Sequence, residues 1–195
     1  MNCIFCEIGT SKKVENTTLY ENDYFRIIPA KGPIVQGHVL IVSKTHNTSL
    51  MSVDTLTKKS FIEIITKVIG RVPTYNNYLF FEHGSYNDEK GGKTIEHMHI
   101  HVLPNFNKYK NILEHSYKIE KKLKIIEIPN TSLYFAYLLM GDKKGVFIYN
   151  GISVESQIIR TKIATLNKKL IPYWQDYDNM PALLETLKMW KNVKF

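Results

Sequence analysis

"TIEHMHIHVLP", residues Thr94 to Pro104, places three of the chain's seven histidines at every second position. A two-residue period is that of a β-strand, whose successive side chains point to opposite faces. Read as a strand from Ile95, the segment puts His97, His99 and His101 on one face, each about 7 Å from the next. Met98, Ile100 and Val102 then share the other face and predict a buried side. Pro104 stops the strand. Three imidazoles on one face suit two chemistries. Neutral imidazole is a metal ligand, and one histidine can attack as a nucleophile while another orients or activates it. Exposed histidines without a role fit poorly in so apolar a strand.

The flanking segments extend the sheet. "NNYLFFEHG" reads as a strand ending at Gly84, followed by the polar, glycine-bearing loop "SYNDEKGGK". "KGPIVQGHVLIVSK" carries a Gly-Pro break and then a strand, Gly37 to Ser43, that contains His38. "TTLYENDYFRIIPA" predicts two strands around an Asn22-Asp23 turn. Between them, Leu56 to Ile69 has helical spacing, with Phe61, Ile64, Ile65, Val68 and Ile69 on one face and Thr55 or Thr57 as the cap.

From residue 106 the texture changes. "NKYKNILEHSYKIEKKLKIIEI" is Lys-rich and reads as helical in part. "SLYFAYLLM" and "KKGVFIYNG", joined through "GDKKG", predict a hairpin. Ser153 or Ser156 caps a helix with Ile158, Ile159, Ile163 and Leu166 on one face. Asn179-Met180-Pro181 opens a last helix. The expected class is therefore α+β, with a boundary near residue 105. Residues 1–105 form the first domain, and residues 106–195 form a smaller α/β extension of hairpin and helices packed on it.

Composition sets bounds. The chain has 195 residues, 44% of them hydrophobic, enough for one substantial core. Its formal net charge of +8 favours polyanionic partners such as nucleotides. A lysine-, isoleucine- and asparagine-rich composition also follows simply from an AT-rich coding sequence. No compact basic and aromatic motif accompanies the charge, so nucleic acid is not the favoured partner, and the lysines at 118, 121, 122 and 124 read as a solvated face. No apolar run reaches the roughly 18 residues of a membrane span. The start "MNCIFCEIGTSKK" lacks the pattern of a signal peptide, which predicts a cytoplasmic protein. Cys3 and Cys6, spaced Cys-x-x-Cys, point to metal binding or redox chemistry rather than a structural disulfide.

"HMHIHVLP" resembles the alternating signature of the histidine triad (HIT) superfamily of nucleotide hydrolases and transferases. "CIFCEI" resembles the amino-terminal cysteine pair of its zinc-bearing members. "GHVLIVSKTHNTSL" resembles their Gly-His segment, with Ser43 where proline is usual. "FFEHG" and its glycine loop, with "SQIIR" further on, resemble a bacterial subgroup that has a carboxy-terminal addition. The resemblance is specific over residues 1–105 and weaker beyond.

It implies a HIT-like antiparallel sheet with flanking helices, and a covalent nucleotidyl-histidine on His99. A backbone carbonyl orients that ring, His101 contacts the phosphate, and His38 helps complete the site. It implies structural zinc held by Cys3, Cys6, His46 and His97, a nucleotide partner such as a dinucleoside polyphosphate or nucleoside phosphoramidate, and a homodimer. Lys93 and Thr94 occupy positions that touch the phosphate bridge or leaving group, although Lys93 stands where glutamine is common. Phe5, Phe25, Ile27 and Ile41 are either nucleoside-pocket residues or core. Arg160, one helical turn from Gln157, is either a phosphate ligand or a surface arginine. Glu82 and His83 either reach the site or hold the adjoining loop. A binding module with little turnover and a nucleic-acid-end processing protein are the competing functions.

Overall fold

The computed structural model describes residues 3–8, 13–85, 95–105, 121–128, 136–150, 157–166 and 178–194. Among the described residues its centre is one antiparallel sheet of eight strands. In chain order they are β1 (Tyr20–Glu21), β2 (Phe25–Pro29), β3 (Val39–Ser43), β4 (Tyr78–Ser85), β5 (His99–Pro104), β6 (Lys121–Leu123), β7 (Ala136–Asp142) and β8 (Gly145–Asn150). Their spatial order is β1-β2-β3-β5-β4-β7-β8-β6. Among the described residues the α-helices are α1 (Thr55–Glu63), α2 (Ile158–Leu166) and α3 (Met180–Lys191). The architecture is the expected α+β sheet, and the strands after residue 105 continue it rather than starting another. Among the described residues no helix is long and apolar enough to cross a membrane.

Local chemistry explains each element. The β1–β2 turn forms because Asn22 Oδ1 accepts the N–H groups of Tyr24 and Phe25, both at 2.9 Å. The cap of α1 is Asp54, whose carboxylate accepts the Thr57 N–H at 2.7 Å, and not Thr55 or Thr57. Asp54 wins because an ionised acceptor binds an orphan helix N–H more strongly than a hydroxyl does. The helix passes into a π turn over Ile64–Val68 and a 3-10 turn over Ile69–Arg71. Phe61, Ile64, Ile65, Val68 and Ile69 are all buried, as their spacing predicts. They join Ile27, Ile41, Ile100 and Val102 in the main core on this face of the sheet.

The opposite face carries Ile34, Leu79, Phe81, Leu103, Leu138 and Met140, covered by Ile159 and Ile163 of α2. Leu166, expected on that buried stripe, is instead 45% exposed at the end of α2. Ser153 and Ser156 lie outside the described residues. One other sequence expectation changes. The triad strand begins at His99 rather than Ile95, because the Met98 N–H turns away to the Asn47 carbonyl at 2.7 Å. The Lys-rich segment, expected to be helical in part, contributes a strand at Lys121–Leu123, paired to β8, and its residues 107–120 lie outside the described residues.

The 136–150 hairpin forms as expected and joins the earlier sheet by pairing β7 to β4, from Phe80↔Gly141 to Ser85↔Ala136. The junction is close. A Cβ on Gly84 would lie 2.2 Å from the Tyr137 ring, so only glycine fits there. Tyr137 in turn donates its hydroxyl to the buried carboxylate of Glu82, which also accepts the Leu50 N–H at 2.9 Å.

Candidate active site

A cross-strand row defines the site. The register aligns Ile28 with Leu40, Leu40 with His101, and His101 with Phe81. Aligned residues share a face, and so do residues two apart, which adds His38 and His99. These side chains open onto a cavity of about 320 Å³, a size suited to a small ligand. Its apolar wall includes Phe5, Ile28 and Leu40, and Gln157, just before α2, and Arg160 of α2 add polar groups.

Hydrogen bonds fix the imidazole protons. His99 Nδ1 lies 2.6 Å from the His97 carbonyl oxygen. A carbonyl only accepts, so Nδ1 carries the proton and the lone pair is left on Nε2. His38 Nδ1 accepts the Ile34 N–H at 3.1 Å, and His38 Nε2 lies 2.9 Å from His101 Nδ1. Burial, with the Arg160 guanidinium adding to it, holds His38 well below the usual histidine range. Burial, then the neighbouring His38, His99 and Arg160, does the same to His101. Both rings are therefore neutral near pH 7, each with one N–H. His38 must carry its proton on Nε2 and donate to His101 Nδ1. That leaves the His101 proton on Nε2, as a donor for a ligand. His101 also stacks on Phe81, with centroids 4.6 Å apart and planes 4° from parallel, which fixes its tilt. The site thus pairs one unprotonated imidazole nitrogen with a neighbouring imidazole N–H donor.

A second cluster adjoins it. The ligand atoms of Cys3, Cys6, His46 and His97 all lie within 4.8 Å of one another. Cys3 Sγ is 3.3 Å from His97 Nδ1, and Cys6 Sγ is 3.3 Å from His46 Nδ1. Tetrahedral zinc with typical Zn–S and Zn–N bonds sets sulfur–nitrogen edges of about 3.6 Å. The donor set and spacing fit such an ion. His97 Nε2 donates to the Ser43 carbonyl at 2.7 Å, which turns the Nδ1 lone pair toward the sulfurs. Phe5, between the two cysteines, packs on His99 with ring centroids 5.1 Å apart.

The structure brings together His38, His99, His101, Phe5 and Arg160, and separately Cys3, Cys6, His46 and His97. Arg160 is not a surface residue; it is 5% exposed, and its Nη2 donates to the Gly32 carbonyl. Ile27 is corrected. It is fully buried and pairs with Ile41 in the alternate row, so it faces the main core, as does Phe25. Ile28 takes its place in the pocket. The signal was available: Leu40 shares a face with His38, and its partner on β2 is Ile28. Glu82 points to the α1 side and holds Leu50 and Tyr137, whereas His83 lines the pocket. Lys93 and Thr94 lie outside the described residues.

The HIT domain family matches residues 11–108 of the chain. The chain belongs to the HIT family. Among similar HIT proteins, an uncharacterised HIT-like protein of Borreliella burgdorferi is 26% identical over 107 residues, covering 54% of this chain and 76% of its own. HINT3 of Arabidopsis thaliana, named an adenylylsulfatase, is 27% identical over 135 residues, covering 62% of this chain and 64% of its own. A solved HIT family hydrolase from Clostridium thermocellum is 23% identical, with a TM-score of 0.43, and covers 53% of this chain and 90% of its own. Residues after 108, α2 and α3 included, lie beyond the HIT match.

Proposed function

We propose that the protein is a HIT-type nucleotide hydrolase or nucleotidyltransferase working through a covalent nucleotidyl-His99. The observation that carries this reading is the His99 tautomer: Nδ1–H is held by the His97 carbonyl at 2.6 Å, which leaves Nε2 as the nucleophile. In the first step the Nε2 lone pair forms a bond to the α-phosphorus, and the bond from phosphorus to the leaving group breaks. The His101 Nε2–H donates to a phosphoryl oxygen whose charge rises in the transition state. In the second step water attacks the same phosphorus and releases one proton to solvent, the P–N bond breaks with its electron pair returning to His99 Nε2, and a nucleoside monophosphate leaves. The apolar wall of Phe5, Ile28 and Leu40 would hold the nucleoside. Candidate substrates are dinucleoside polyphosphates and nucleoside phosphoramidates, and hydrolysis is favoured over transfer.

Cys3, Cys6, His46 and His97 would hold a structural zinc ion, whose chemistry there is only to fasten residues 3–8 to the sheet.

A mass-spectrometric search after incubation with both substrate classes tests the enzyme reading. A nucleotidyl group on His99, absent in His99→Ala, is the expected result. No adduct and no turnover, with His99→Ala binding nucleotide as tightly as the parent, would leave a binding module instead.

A further inference from the structure

The loop Gly32–Gly37, which leads into His38, is held largely from outside the HIT domain match. Arg160 of α2 donates from Nη2 to the Gly32 carbonyl at 2.5 Å. Asn179, at the start of α3, donates from Nδ2 to the Pro33 carbonyl at 2.8 Å. Thr186 of α3 accepts the Gly37 N–H at 2.9 Å, its own hydroxyl proton going to the Ala182 carbonyl at 2.7 Å. The Tyr75 hydroxyl donates to the Gly37 carbonyl, and Trp190 of α3 donates to Tyr75 at 3.3 Å. The loop side chain Ile34 packs in one cluster with Ile159 and Ile163 of α2. Gly37 has φ +83°, and a Cβ there would lie 3.0 Å from Pro104 and 3.1 Å from Met189, so the loop has no slack at this point.

What the loop delivers is one proton donor, the Ile34 N–H, aimed at His38 Nδ1 from 3.1 Å. We infer that the carboxy-terminal segment is a positioning device for the catalytic histidines. Arg160, Asn179 and Thr186 hold the loop so that Ile34 N–H keeps His38 in its Nε2–H form, and His38 keeps His101 as an Nε2–H donor toward substrate.

The consequence of releasing the loop follows from counting protons. Without the Ile34 N–H, the neutral His38 ring can carry its proton on Nδ1. Its Nε2 then accepts, and the His101 Nδ1 must supply the proton between them. His101 Nε2 is left as a lone pair, which repels a phosphoryl oxygen instead of donating to it. No proton is gained or lost; the chain of donors reverses direction. The inference rests on the nucleotidyl-transfer reading for its effect on rate, but the tautomer itself is observable without substrate.

The test uses the full chain labelled with ¹⁵N-histidine, compared with Asn179→Asp/Thr186→Val. Asp at 179 tolerates the left-handed backbone found there, φ 35°, but cannot donate to Pro33. Val at 186 keeps the shape of threonine and removes the acceptor for Gly37. In the parent, His38 should show a bare Nδ1 and a protonated Nε2. In the variant the His38 and His101 signals should show mixed or reversed tautomers, and kcat should fall roughly 10- to 100-fold with KM unchanged, the scale of a lost outer hydrogen-bond partner. Reintroducing the hydroxyl with Thr186→Ser should restore both readouts in part. A folded variant with the parent's ¹⁵N pattern would overturn the inference, and so would a parent whose His38 is protonated on Nδ1. If the double variant does not fold, Asn179→Asp alone gives the same readout. If the parent turns over no nucleotide, the enzyme reading fails while the ¹⁵N comparison still decides this one.

Discussion

Replacing Tyr137 with phenylalanine removes one oxygen from the seam between β4 and β7. That oxygen donates to the Glu82 carboxylate and accepts the Met51 N–H at 3.2 Å. Tyr137 is fully buried, Glu82 is 2% exposed and Met51 1%, so water cannot replace the missing partner without opening the sheet. Burial and the Glu82 charge hold the Tyr137 pKa well above its usual value, so the hydroxyl is a donor throughout the working pH range. A hydrogen bond to a charged group contributes about 1.5–3 kcal/mol, and a stranded buried N–H costs about 1–3 kcal/mol. The two losses share one site and partly overlap, so Tyr137→Phe should destabilise by about 3–5 kcal/mol. In a chain of this length that is a melting-temperature drop on the order of 10 °C. Urea titration of the parent, Tyr137→Phe, Glu82→Gln and the double variant gives a cycle whose coupling energy should exceed about 1 kcal/mol. A Tyr137→Phe variant within measurement error of the parent, or a strictly additive cycle, would refute the account of this seam.

Other outcomes are expected from the same geometry. His38 and His101 have folded pKa values below the ordinary 6.5, so the unfolded chain binds more protons as pH falls through 6.5. Stability is thus fully present above that pH and lost below it, by at most about 2.7 kcal/mol per pH unit for the two rings; a pH series of urea midpoints flat from pH 7 to 5 would contradict this. Metal analysis should find about one zinc per chain under a four-ligand site. In Cys6→Ser the metal content should fall and residues 3–8 should become accessible to protease, with Phe5 leaving His99; a metal-free parent would remove the zinc assignment. Ile27→Ala should cost about 2–5 kcal/mol of stability with nucleotide affinity unchanged, because its side chain sits in the core. Leu40→Ala should weaken nucleotide binding in calorimetry, and the reverse pattern would mean the register is wrong.

The sequence carried the site further than it carried the phase of the sheet. The alternation of His99 and His101 with Ile100 and Val102 appears as written, because one face is polar and the other apolar. It stops short of His97, whose neighbour Met98 bonds to the Asn47 loop, a contact across 51 positions that no local pattern contains. Along β3 every residue is buried, so apolarity alone gives no phase there and Ile27 could not be told from Ile28 without using His38 as the anchor. The place of Arg160 is not legible locally, because its acceptor, Gly32, lies 128 residues away. The strand at Lys121–Leu123 was illegible for a different reason: a three-residue edge strand of Lys-Lys-Leu has no stripe to read.

Among the described residues the sheet ends in β1, two residues long, and β6, three residues long. Short edges offer little backbone for another chain to pair with. Cutting the chain at residue 105 would change that. It would remove β7 and expose the eight-residue strand Tyr78–Ser85, rich in Leu79, Phe80 and Phe81, along one whole side. Such a fragment should be sticky, sedimenting as aggregates where the full chain stays dispersed. A carboxy-terminal segment outside the HIT match thereby acts as a guard on the sheet's flank, and any engineering of this protein has to keep it.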